Sequence, residues 1–120
     1  EQQAEALMTA LPRQDSLLQA LQQHSLAALQ DETPELKTMA TRMAMSERSL
    51  YRYLSDRGLR YKTVLNALRY ELAKNYLKDA QLSLPEIALM LGYSEQSAFS
   101  RAFKAWSGES PMQHRRGHLP

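Results

Sequence analysis

The chain has 120 residues, 43% of them hydrophobic and 23% charged, with a formal net charge of +2 and no cysteine. That allows one small domain or two very small ones, and it suits a soluble globular chain rather than a disordered one. Disulfides and thiolate zinc sites are excluded, no apolar run reaches the ~18 residues of a membrane helix, and no charged-then-apolar secretory leader is present.

Helical periodicity dominates, with no convincing alternating run for a strand. Glu1 stands where a whole protein would start with Met, so a fragment of something longer is expected. Residues 1–14, rich in Gln and Ala and interrupted by Pro12, read as a linker or frayed helix from a missing N-terminal region. From about Asp15 to Asp31, Leu17, Leu18, Leu21, Ala28 and Leu29 form an apolar stripe, with Leu26 at its margin. Thr33-Pro34 predicts a cap followed by proline at the first helical position. The short helix it opens, over 34–43, buries Leu36, Met39, Ala40 and Met43.

Ser46 is placed to cap the next helix, with Met45 and Leu50 stapled across it. Leu50 and Leu54 share one face of that helix, and Gly58 ends it. A longer helix is predicted over about Tyr61–Lys78, with Val64, Leu65, Leu68, Leu72, Ala73, Tyr76 and Leu77 as its core stripe. Ser83-Leu84-Pro85-Glu86 is a capping-box pattern. It opens a short helix that buries Ile87, Ala88 and Leu91 and stops at Gly92. Ser94 is expected to cap the helix carrying Phe99 and Phe103, and Ser110-Pro111 to begin a last one toward His114. The prediction is an all-α fold of about seven helices.

One segment occurs twice. Leu36–Ser46 lies over Leu84–Ser94 at a shift of 48, pairing Met39 with Ile87, Ala40 with Ala88 and Met43 with Leu91. The register then slips to 49, pairing Leu50 with Phe99, Arg52 with Arg101 and Leu54 with Phe103. Each copy is a short helix, a tight turn and a second helix with apolar residues at i and i+4. Ala40 and Ala88 sit where two helices crossing steeply leave room for little more than a methyl group. This is the pattern of a helix-turn-helix, whose second helix enters the DNA major groove. The intervening helix of about 18 residues spans roughly 27 Å, comparable with the ~34 Å between successive major-groove faces on one side of DNA. One rigid rod can therefore serve two adjacent grooves.

The charge distribution agrees. Residues 1–35 carry one basic and six acidic groups, a net of −5; residues 36–120 carry fourteen basic and seven acidic, a net of +7. A basic domain behind an acidic lead-in suggests a polyanionic partner.

SERSLYRYLSDRG (46–58), LRYELAKNYL (68–77) and the Ala-x3-Gly-Tyr-Ser, Phe-x-Arg-Ala-Phe-Lys-x-Trp and Gly-x-Ser-Pro elements between Pro85 and Arg115 resemble the DNA-binding domain of AraC/XylS-type transcription regulators. The resemblance covers nearly all of residues 15–116. It implies a first helix-turn-helix subdomain over 15–60, a connecting helix over 61–79, and a second subdomain with the C-terminal tail over 80–120. It also implies a bacterial, cytoplasmic and nucleoid-associated activator that binds double-stranded promoter or operator DNA and works with RNA polymerase. A separate effector or dimerisation domain would lie outside the chain. Ala44 departs from the family, occupying a turn position that is often glycine and that the second copy fills with Gly92. An alanine forced to positive φ costs about 1 kcal/mol.

Carried over residue by residue, the resemblance puts Arg48, Tyr51 and Arg52 of the first recognition helix on base-reading positions, and Gln96, Ser97, Ser100 and Arg101 of the second. Arginine suits that task because it can bond guanine O6 and N7 together. Helix N-termini and cations grip phosphates, and the candidates are Ser46, Arg57, Arg60, Tyr61, Lys62, Ser94, Lys104, Arg115 and Arg116. Each could equally be a solvated cation or a plain cap. Arg69 and Glu71 on the connecting helix read as structural. The three histidines have no metal-ligand spacing, and neither a nucleophile–base arrangement nor a Gly-rich phosphate loop is present, so no cofactor and no enzymatic activity are expected. The rival functions are a helical adaptor whose hairpins bind protein, and a DNA binder that reads bases with one helix only.

Overall fold

Short apolar stripes at helical spacing need neighbours to bury them, and here one central helix supplies that neighbour twice. A computed structural model describes residues 15–29 and 34–118; residues 1–14, 30–33 and 119–120, among them the expected helix end near Asp31 and the Thr33 cap, lie outside them. Among the described residues there are seven helices and no strand: α1 (Ser16–Ala28), α2 (Leu36–Arg42), α3 (Glu47–Asp56), α4 (Tyr61–Leu77), α5 (Leu84–Met90), α6 (Gln96–Ser107) and α7 (Pro111–His118). They fill an elongated body of 44 × 28 × 21 Å.

Two apolar clusters lie along α4. Val64 at its N-terminal end joins Leu18, Leu21, Ala28, Met39, Ala40, Leu50, Leu54 and Leu59. Tyr70, Ala73 and Leu77 at its C-terminal end join Leu84, Ile87, Ala88, Leu91, Phe99, Phe103 and Trp106. Helix α4 thus has an inward face for each neighbour, and a single-stripe reading misjudges it. Tyr70 is fully buried, packed edge-on to Phe103 at 5.4 Å between centroids, whereas Leu68, Leu72 and Tyr76 are only half-buried. His114 is also core, with its Nδ1 2.9 Å from a Glu109 carboxylate oxygen and its ring edge-on to Phe103 at 5.3 Å.

The caps explain where most helices begin. Asp15 caps α1 by accepting from the Leu18 N–H at 2.9 Å. Ser46 does the same for α3 through the Ser49 N–H at 3.0 Å. The capping box of α5 forms, with Ser83 accepting from Glu86 N–H and Glu86 accepting from Ser83 N–H. Ser110 and Gln113 make the same reciprocal pair before α7.

Two expected starts shift. Helix α2 begins at Leu36 rather than Pro34, because the chain is still extended at Glu35 (φ −114°, ψ 149°). Pro34 is buried ahead of the helix instead of serving as its first residue. Ser94 does not cap α6. The cap position belongs to Glu95, whose side chain makes no capping bond. The reason is the one-residue register slip between the copies: the first turn spans residues 43–46 and the second 91–95.

Apart from that extra residue the turns are the same. Met43, Ala44 and Met45 donate to Ala40, Thr41 and Ala40 carbonyls; Leu91, Gly92 and Tyr93 donate to Ala88, Leu89 and Ala88. This closure requires a left-handed residue after the helix, and Ala44 (φ 57°) and Gly92 (φ 91°) supply it. Ala44 adopts the conformation expected to strain it.

Candidate nucleic-acid interface

Helix α3 is anchored by Leu50 and Leu54, both essentially fully buried. Its opposite face exposes Glu47, Arg48, Tyr51, Arg52 and Ser55. Tyr51 is 64% exposed, the highest value among the large hydrophobic side chains of the described residues, so packing does not explain it. Arg48, Tyr51, Arg52, Ser55 and Asp56 line one shallow groove. Among the described residues no carboxylate pairs with Arg48 or Arg52, which leaves both guanidinium groups available to an anionic or acceptor-rich partner.

Helix α6 repeats the arrangement. Phe99, Phe103 and Trp106 are buried; Gln96, Ser97, Arg101 and Lys104 are exposed, and Ser100 is half-buried. The Ser97 hydroxyl donates to a Glu95 carboxylate oxygen at 3.3 Å. Arg48, Arg52, Ser97 and Arg101 therefore lie on the side of α3 or α6 away from its core anchors, while Tyr51, Gln96 and Ser100 flank those anchors. The two faces differ in chemistry, with two arginines and a tyrosine on α3 against one arginine and small polar groups on α6.

The nominated phosphate contacts divide. Arg60, Lys62, Lys104 and Arg116 are exposed. Arg115 is turned inward, donating to the Leu77 and Asp79 carbonyls at 3.0 Å each and closing the C-terminal end of α4. Tyr61 is half-buried, its hydroxyl 2.7 Å from Ser25 Oγ, and burial raises its pKa. Ser46 is occupied as a cap, and Ser94 is exposed before α6.

Arg57 belongs to a network that its position in the sequence does not reveal. It pairs with Asp15 at 3.3 Å, donates to the Tyr53 carbonyl at 3.1 Å and lies 3.7 Å over the Tyr53 ring. The Tyr53 hydroxyl donates to the same Asp15 carboxylate. These bonds fasten the start of α1 to α3, fixing how α3 is rotated. The Tyr53 hydroxyl bond, followed by the Leu18 N–H, holds the Asp15 pKa below its ordinary value. Burial, then Asp15, pushes the Tyr53 pKa up to about 12. A lowered carboxylate pKa gives stability that is present above the unfolded value near 3.9 and is lost as pH falls through the folded one. Asp15→Asn should therefore lower the Tm at neutral pH, with the gap to the parent closing below about pH 4. Thermal melts from pH 7 to pH 2.5 check this; a gap that does not change with pH would show that the charge contributes nothing.

Among the described residues no group of three His, Cys, Asp or Glu could hold a metal ion, and no helix is long and apolar enough to cross a membrane. A family model described as a helix-turn-helix domain matches residues 39–117. The ornithine utilization regulator of Pseudomonas aeruginosa is 44% identical over 115 residues, 96% of this chain and 34% of that protein. The HTH-type transcriptional activator RhaS of Escherichia fergusonii is 34% identical over 92% of this chain and 43% of its own length. The chain thus spans about a third of the first of these relatives. The DNA-binding domain of AdpA, solved in complex with a target DNA, matches with TM-score 0.68 and 25% identity over 84% of this chain and 91% of that one. An AraC-type regulator from Chromobacterium violaceum shares the fold, with TM-score 0.71 and 22% identity over 82% and 88%.

Proposed function

We propose how this chain, which belongs to the AraC/XylS family of transcription regulators and is a DNA-binding domain of that type, engages its DNA: α3 and α6 enter adjacent major grooves of one duplex. The carrying observation is that two helices with buried apolar anchors and exposed polar faces are packed on opposite ends of one 17-residue helix. That helix is about 26 Å long, within a side chain's reach of the ~34 Å groove repeat. In this reading residues 15–60 form the first subdomain, 61–79 the connecting helix and 80–120 the second.

Arg48, Tyr51 and Arg52 read bases in one groove; Gln96, Ser97, Ser100 and Arg101 read them in the next. Arg60, Lys62, Lys104 and Arg116 are the stronger phosphate candidates, because Arg57 and Arg115 already have protein partners. The whole protein acts in the cytoplasm as a non-enzymatic activator, with RNA polymerase as partner and an effector or dimerisation domain elsewhere in the polypeptide. The activator relative supports the sign of regulation.

Arg52→Ala and Arg101→Ala test the reading. Each should cost about 1–3 kcal/mol on the selected operator and relax preference at its own base positions, about one DNA turn apart. Titrations against operators substituted at single base pairs measure both effects. A variant that loses equally on random DNA would prove a phosphate clamp, and loss at one groove only would favour a single reading helix.

A further inference from the structure

A shared helix sets the distance between two reading heads, but it does not by itself fix the angle of the second. The turn that leads into α6 is held from outside its own helix pair at Leu91 and Tyr93 and closely approached at Gly92 between them. The Leu91 carbonyl accepts from Arg69 Nε of α4 at 3.1 Å. At Gly92 a Cβ would lie 2.6 Å from the Leu29 carbonyl oxygen at the end of α1 and 3.5 Å from an Arg69 nitrogen. The Arg69 guanidinium also lies over the Tyr93 ring, 5.1 Å from its centroid.

Among the described residues the first turn has no such fastening. Ala44, at the position matching Gly92, has positive φ as well, yet it is exposed and keeps its methyl group. The difference between the copies is thus explained by contact rather than by backbone alone. Positive φ is tolerated in an alanine where nothing presses on it, and glycine stands where the carbonyl of another element occupies the Cβ space.

We propose that Arg69 and Gly92 are positioning residues for DNA recognition, pinning the turn before α6 to α1 and α4 so that the second head meets the duplex at one rotational setting. Neither touches DNA in this scheme. Their effect is on the spacing between half-sites that the protein accepts. The inference rests on the two-groove reading, and its test separates the two ideas.

The operator is first selected with the parent chain, then lengthened or shortened by one base pair between the half-sites, a rotation of about 34°. The parent should lose about tenfold or more on the altered spacings. Arg69→Met, which keeps the apolar stem and removes the guanidinium, should bind the original spacing more weakly while its spacing penalty shrinks to about threefold or less. Gly92→Ala, which forces a methyl group onto the Leu29 carbonyl, should behave alike, and Arg69→Lys serves should either variant fail to fold.

The chain has no cysteine, so spin labels at Asp56→Cys and Ala105→Cys, both exposed, report the angle without DNA. The distance distribution should be narrow in the parent and broader or shifted in the Arg69 and Gly92 variants. An unchanged distribution and an unchanged spacing penalty in folded variants would overturn the proposal while leaving two-groove binding intact. A parent footprint only one groove wide would overturn both.

Discussion

Between 50 and 200 mM salt the affinity of this chain for its operator is expected to fall about a thousandfold. Binding that neutralises Z phosphates releases their counterions, and log K falls with log salt at a slope of about −0.9Z, so six to ten contacts give ~10³–10⁵ over this range. The structure argues for the lower end. Arg57 and Arg115, two of the nominated phosphate cations, already bond within the protein. The exposed cations on or beside the two heads include Arg48, Arg52, Arg60, Lys62, Arg101, Lys104 and Arg116. Fluorescence anisotropy titrations at four or five salt concentrations yield the slope directly. A change of less than about tenfold would correspond to fewer than two neutralised phosphates and would favour an apolar protein partner instead.

Phe103→Ala should lower stability by about 3–5 kcal/mol, a large share of the ~5–15 kcal/mol available to a domain of this size. Phe103 is fully buried and makes ring contacts with Tyr70 of α4, Phe99 and Trp106 of α6 and His114 of α7, all within 6.5 Å. Deleting it opens a cavity where three helices meet, which neighbours held by one another cannot easily fill. The Tm should fall by at least about 12 °C, read by circular dichroism. Tyr51→Ala is the control, since Tyr51 is 64% exposed and its loss should leave the melt nearly unmoved while weakening DNA binding. A Phe103→Ala melt within about 4 °C of the parent would refute this picture of the second core.

The helices and the duplicated unit were legible because both rest on local chemistry. Ser46, the Ser83–Glu86 box and the apolar pairs Leu50/Leu54 and Phe99/Phe103 act within one or two turns of chain. What was not legible depends on tertiary contact. Tyr70 was missed because α4 is covered on two sides and so has no single stripe. Ser94 looks like a cap in the sequence because one added residue in the turn moves the helix start to follow Glu95 without changing the apolar spacing. Nothing in the sequence near Arg57 and Arg115 points to their distant partners, and only the fold brings Asp15 and the end of α4 beside them. Arg69 did read as structural, though nothing local pointed to the turn it holds. The exposed faces of α3 and α6 follow from the anchors on their other sides, whereas the base-reading roles on those faces rest on the family resemblance.

The packing of both apolar clusters onto α4 has a consequence for how such a chain can diverge. Inserting one residue midway along that helix advances everything beyond it by about 1.5 Å and about 100°. One base pair of B-form DNA turns by only about 34°, so the swing matches roughly three base pairs of twist with almost none of their rise. Neither a longer nor a shorter binding site can absorb both changes together. Helix length is therefore a quantity that evolution cannot alter by single residues without losing one of the two grooves, whereas the outward side chains remain free to drift toward new target sequences.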